Sequence, residues 1–388
     1  MRKNKYLESK EHLSEDNTSK SSISEVSTQS TIQPSKPRYF GIDLLRVLSC
    51  YMVMQVHSGE YYYIGDNFTV KNGTGPFWVG IFNSLFYSCV PLFVMISGYL
   101  LLPIKTDIPT FIRARFTRIL YPFFFWSIIY SFYFFILKKI TFSECLLNIP
   151  KIFVNYGVEV GHLWYIYMLI GVYLFTPIIS PWIKQASLSE FLYYISFWLI
   201  GCCFNYIHLL FPKIWGECSW NNTPMLQSFT GHFGYAVLGS FIKLHINTCT
   251  NDDFYWLGFI FLVVGYIITT TIYEIQYYRN VKSSFEIEIG LNFHTINVGM
   301  MAFGFFLLLR KIKCNNKIVV KLVNDIALKS YGMYLAHIMI LDQFHNLFDP
   351  NNNRPCIFIP FVAICTFIAT YVAIKLISFI PYSKFLIG

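Results

Sequence analysis

The feature that most constrains this chain is a succession of apolar runs, each about as long as a membrane-spanning helix. About 20 mainly apolar residues are needed to carry a helix across a bilayer. Ten such runs can be read, at about 39–58, 77–102, 119–137, 162–180, 190–211, 229–246, 254–273, 291–309, 329–347 and 357–377. Turn-forming stretches separate them, among them DNFTVKNGTGP, LLPIKTDIP and FDPNNNRP. The expected fold is all-α: a polytopic membrane protein with about ten transmembrane helices.

Composition agrees. Of the 388 residues, 55% are hydrophobic and only 13% charged, whereas soluble domains carry about 25% charged residues. The formal net charge is +9, and its placement follows membrane topology rather than nucleic-acid binding. With the N-terminus cytoplasmic, 21 of the 30 Lys and Arg fall in cytoplasmic segments and eight in outer loops, leaving Arg46 within the first span. The positive-inside rule therefore puts both termini in the cytoplasm. The 229–246 run is the weakest, but removing it would turn six basic residues of 310–329 outward.

Residues 1–38 are polar and rich in Ser, Thr, Glu and Lys, without the apolar core of a signal peptide. They read as a disordered tail, followed by one transmembrane domain over 39–388. The ten cysteines are scattered, with no CxxC pair and no zinc-spaced Cys/His set. They read as packing residues, and no metal site is expected.

Two residues stand out in DLLRVLSCYMVMQVHSG, positions 43–59: Arg46 and His57. Eleven residues turn a helix through three turns plus about 20°, so the two share a face, roughly 16 Å apart along the axis. Ser49, Cys50, Val53 and Met54 fill the stripe between them, and Asp43 can pair with Arg46 from i−3. Charged groups inside a span usually face a protein interior or a wet cavity. A cation towards the cytoplasm and a proton carrier towards the outside suggest a lined passage, and histidine is the natural base near neutral pH. In PTFIRARFTRILYP, Arg115 and Arg118 share a helix face at the cytoplasmic boundary, where guanidinium forks suit phosphate. No Walker or dinucleotide glycine loop is present. Each of these residues also has an ordinary reading, as an interfacial anchor or a hydrogen-bonded core group.

Together several segments resemble one family, the integral membrane acyltransferase 3 proteins. IDLLRVLSCYMVMQVHS is similar to the family's Arg-x10-His helix, and CVPLFVMISGYLLL to its second-helix signature around Ser97, Gly98 and Tyr99. RFTRILYP matches its Arg-x-x-Arg motif, GHLWYIYMLIGVYLFTPII its His-Leu-Trp-Tyr helix, and SYGMYLAHIMIL its Tyr-x-x-His helix, here Tyr334 and His337. FGYAVLGSFI and the lack of an appended domain resemble the stand-alone O-acetyltransferases of surface polysaccharides, typified by the one acting on enterobacterial common antigen.

The resemblance implies an O-acyltransferase in a bacterial plasma membrane. An acyl group, most often acetyl, would pass from cytosolic acyl-CoA to a hydroxyl of a cell-surface or lipid-linked carbohydrate. Acetyl-CoA would be a co-substrate, with no permanently bound cofactor and no nucleic-acid partner. His57 would be the catalytic residue, and Arg46, Arg115 and Arg118 would bind the donor. Asp43, Ser97, Tyr334 and His337 would line the cavity. An exporter of polysaccharide or lipid-linked sugar is the alternative. His162, His208, His232, His294, Glu159, Trp164 and Tyr165 read mainly as outer or interfacial residues, and Asn67, Asn72 and Asn221 open sequons without further meaning.

Overall fold

A computed structural model describes residues 39–154, 156, 160–211, 229, 231–248 and 254–388, apart from the side chain of His208. The expected tail over residues 1–38, Glu159 and Asn221 lie outside the described residues. Those described form helices and loops, with no β-strand beyond two isolated bridges, Ile64 to Val70 and Thr69 to Ser283.

The helices are α1 (Phe40–Tyr63), α2 (Gly75–Phe86), α3 (Cys89–Leu101), α4 (Ile108–Ile136), α5 (Phe142–Lys151), α6 (Trp164–Gln185), α7 (Leu188–Gly201), α8 (Phe204–Leu210), α9 (Phe233–Phe241), α10 (Phe254–Tyr278), α11 (Ser284–Ile287), α12 (Ile296–Leu309), α13 (Lys317–Phe348), α14 (Pro355–Ile377) and α15 (Lys384–Ile387). Side-chain caps mark several starts. Asp107 accepts from the Thr110 amide at α4, Thr141 with Glu144 and Ser187 with Glu190 form capping boxes at α5 and α7, and Asn316 caps α13.

Five described stretches are long and apolar enough to cross a membrane: Gly75–Leu101 (α2 with α3), α4, α6, α10 and α14. A sixth is added if the bent pair Ser284–Leu291 and Ile296–Leu309 is a single span. The helices α1 and α13 have the length, 24 and 32 residues. They hold many of the polar groups described below, among them Arg46, His57, Glu60, Asp325 and His337, which lowers their apolar character. On α14 the exposed side chains Ile357, Phe361, Ile364, Ile368, Val372 and Leu376 recur every three or four residues, while Ile359, Val362, Ala363 and Thr366 are buried. Such an apolar outer stripe fits a lipid neighbour and would be a liability in water.

The helix α1 packs against α2, α3, α13 and α14. It runs five residues beyond the apolar segment read from the sequence, because three consecutive tyrosines at its end each find a carboxylate. Tyr61 donates to Asp342, Tyr62 to Asp349 Oδ2 at 3.0 Å, and Tyr63 to Glu288 Oε1 at 2.8 Å. The Val70 amide bonds the Lys282 carbonyl at 2.9 Å, which ties the loop after α1 to the segment carrying Glu288.

The short FGYAVLGSF helix, α9, continues as a π-helical turn over Ile242–Ile246 and crosses α3 at close range. A Cβ at Gly98 would lie 2.0 Å from the Ala236 carbonyl oxygen, and one at Gly239 2.1 Å from that of Met95. Glycines at both crossing points let the backbones touch, the usual device for close helix packing in membranes.

Candidate functional site

Two cavities lie at the two ends of the α1 face that carries Arg46 and His57. The first, of about 140 Å³, is lined by Arg46, Ser97, Arg115, Arg118, Tyr165 and Tyr334 among others. Its three guanidiniums come from two helices, α1 and α4. Asp43 is buried behind Arg46 and reaches it at 3.3 Å, the i−3 pair expected from the sequence. Arg115 has its Nε buried without a hydrogen-bond partner, and its guanidinium lies 5.8 Å above the Phe111 ring. The neighbouring Arg113, two residues before that motif, is exposed and does not line the cavity. A pocket with three cationic forks and an unused donor is built for an anion.

The second cavity, of about 220 Å³, is lined by His57, Glu60, His162, Trp164, Tyr165, Glu288 and Tyr334 among others. His57 Nδ1 lies 2.9 Å from Glu60 Oε1, one turn further along α1. A carboxylate at Nδ1 holds the proton there and leaves Nε2 as the accepting nitrogen, while fixing the plane of the ring. His337 stands one layer behind the wall, fully buried, its ring 5.2 Å from that of His57. Its Nδ1 is 2.6 Å from the Tyr334 carbonyl oxygen, and its Nε2 is buried without a partner. His162, expected from the sequence to be an outer or interfacial residue, completes the cluster at 5.0 Å from His337 and 6.3 Å from His57.

Between the two cavities the α1 stripe is filled. Ser49, Cys50, Val53 and Met54 are all buried, and of these only Val53 reaches a cavity wall. Ser49 turns its hydroxyl to the Leu45 carbonyl at 2.8 Å, and Cys50 Sγ lies 3.7 Å from the Ser330 carbonyl. The two cavities instead share two wall residues, Tyr165 of α6 and Tyr334 of α13. Among the described residues no three His, Cys, Asp or Glu side chains are grouped so as to hold a metal ion.

The expected residues thus fall into two groups: Arg46, Ser97, Arg115 and Arg118 at one end, His57 and His337 at the other, with Tyr334 between. Glu60, His162, Tyr165 and Glu288 join them. His162 and Tyr165 lay inside the GHLWYIY segment, and Glu60 stood at i+3 from His57, so each had a signal in the sequence.

A family model described as an acyltransferase domain matches residues 39–375 of the chain. No curated protein and no solved structure matches it.

Proposed function

The chain belongs to the acyltransferase 3 family, whose model covers most of its length, and from that premise we propose an O-acyltransferase that works across a membrane. Cytosolic acyl-CoA, most simply acetyl-CoA, is the donor, and a hydroxyl of a cell-surface or lipid-linked carbohydrate is the acceptor. In this reading ten spans cross a bacterial plasma membrane and both termini are cytoplasmic, with the surface-polysaccharide O-acetyltransferases as the type it resembles.

The observation that carries the reading is the pairing of an arginine-lined cavity with a His57–Glu60 cavity through one shared wall. Arg115, Arg118 and Arg46 hold the coenzyme A phosphates and the head of its arm. The first cavity, about 140 Å³, has room for a slender chain rather than a nucleotide, so the nucleotide stays at the mouth. In the second cavity His57 Nε2 takes the proton of the acceptor hydroxyl as its oxygen attacks the thioester carbonyl. The C–O ester bond forms, the C–S bond breaks, and the proton passes to the departing thiolate. General base catalysis of this kind contributes about 10²- to 10⁴-fold. A carbohydrate suits the second cavity, since the stacked rings of Trp164, Phe293 and Tyr87 form an aromatic wall and Glu288 offers a hydroxyl acceptor.

The test is transfer of label from acetyl-labelled acetyl-CoA to base-labile esters in membranes holding the wild type or His57→Ala. Label moving in the wild type and stopping in the variant supports the proposal. Transfer undiminished by His57→Ala, or label left on coenzyme A in both, refutes it; the second result turns attention to the exporter reading.

A further inference from the structure

Tyr165 and Tyr334 are the two residues common to both cavity walls, and we propose that they form a septum restricting the enzyme to short acyl groups, with Tyr165 as the residue that sets the limit. This rests on the acyltransferase reading above.

The two rings lie 5.3 Å apart, centroid to centroid, in an edge contact, and both side chains are buried. Tyr334 is fixed. Its hydroxyl donates to the His162 carbonyl oxygen, and its ring also meets those of His162 and His337. Tyr165 is held by ring contacts to Phe93, Trp164 and Tyr334, at 6.1, 6.4 and 5.3 Å. Edge contacts between rings constrain a side chain less than a buried hydrogen bond to backbone does, so Tyr165 is the leaf that yields when a thioester passes.

Geometry then limits the acyl group in two ways. It enters the second cavity ahead of the sulfur, so every carbon beyond the carbonyl must be housed there. That cavity, about 220 Å³, must also admit the acceptor hydroxyl to His57. The side behind His57 is closed by His337, which is fully buried, and by His162, 4% exposed. A long tail has no pocket to run into and must either displace the acceptor or remain threaded between the two rings. An acetyl group does neither.

The experiment uses the full chain in native membranes, with labelled acetyl-CoA and hexanoyl-CoA supplied separately and esters counted on the endogenous acceptors. One methylene in a tight apolar pocket changes kcat/KM by about 10- to 200-fold, so the wild type is expected to favour acetyl over hexanoyl by at least about 100-fold. Tyr165→Ala and Tyr165→Leu are expected to narrow that ratio about tenfold or more by raising hexanoyl transfer, while Arg113→Ala, at an exposed position outside both cavities, leaves the ratio near its wild-type value. Two Tyr165 variants guard against one failing to fold, and membrane abundance with thermal stability in detergent reports the folded fraction of each. A wild type that transfers both groups alike refutes the septum, as do folded Tyr165 variants that keep the wild-type ratio or lose both activities equally. Absence of acetyl transfer by the wild type refutes the enzymatic reading, and the septum with it.

Discussion

Replacing Glu60 by Gln isolates the role of the carboxylate from the shape of its side chain. Glu60 Oε1 is 2.9 Å from His57 Nδ1, and the side chains are 36% and 17% exposed. A hydrogen bond to a charged partner contributes about 1.5–3 kcal/mol and a neutral one about 0.5–1.5 kcal/mol. Glutamine can still accept from Nδ1 through its amide oxygen, so the loss is the difference, about 1 kcal/mol. Screening at a site one-third open to solvent trims it further. Only the share realised in the transition state affects rate, and 1.4 kcal/mol corresponds to a factor of about ten. Glu60→Gln should therefore lower kcat by about two- to fivefold. Glu60→Ala removes the orienting group as well, and about 100-fold is expected, within the range of a positioned base. Glu60 does not line the arginine cavity, so KM for acetyl-CoA should not move in either variant. The assay is initial-rate ester formation in membranes at saturating acceptor, over a range of acetyl-CoA concentrations. Full kcat in Glu60→Ala, or a loss expressed wholly in donor KM, would sink the assignment of Glu60 as the partner of His57.

Arg115→Ala should raise donor KM about tenfold to 100-fold by removing one charge-assisted phosphate contact. Arg113→Ala, a change at an exposed position away from the cavity, should leave it unaltered; titration with coenzyme A reads both. Gly98→Val puts a branched side chain where even a Cβ would sit 2.0 Å from the Ala236 carbonyl. Overpacking costs about 1–3 kcal/mol, and backbone cannot rotate aside, so membrane abundance and thermal stability in detergent should both drop. Asp107→Ala removes the cap that accepts from the Thr110 amide and should destabilise the start of α4, visible as a lower Tm with donor KM little changed.

Relations within one helix were legible in the sequence. The shared face of Arg46 and His57, the Asp43–Arg46 pair and the Arg115–Arg118 pair all follow from helical phase, and each holds in the structure. Glu60 escaped because the apolar run was ended at residue 58, whereas α1 continues to Tyr63. What carries it on is tertiary: Tyr61, Tyr62 and Tyr63 are met by Asp342, Asp349 and Glu288, far along the chain. Hydropathy could not see those partners. His162 is a similar case. At the start of α6 it resembles any residue at a membrane boundary, and only the packing of α6 on α13, with Tyr334 bonded to its carbonyl, brings it beside His337. Of the ten expected spans, five stretches among the described residues satisfy length and hydropathy together, or six with the bent pair. In α1 and α13 the residues that make the site are also polar residues in the would-be spans. The short α9 is apolar but falls short in length, and glycine-mediated contact with α3 seats it.

The central claim is that an acyl group loaded on one face of the membrane becomes an ester on the other. Sealed inside-out vesicles test it most directly: acetyl-labelled acetyl-CoA, which does not cross the bilayer, is added outside at the cytoplasmic face. Labelled ester should accumulate in the lumen, protected from external base until detergent is added, while free coenzyme A appears outside in equal amount. Ester formed on the outer, accessible surface of those vesicles, or formed only after detergent opens them, would contradict transfer through the protein.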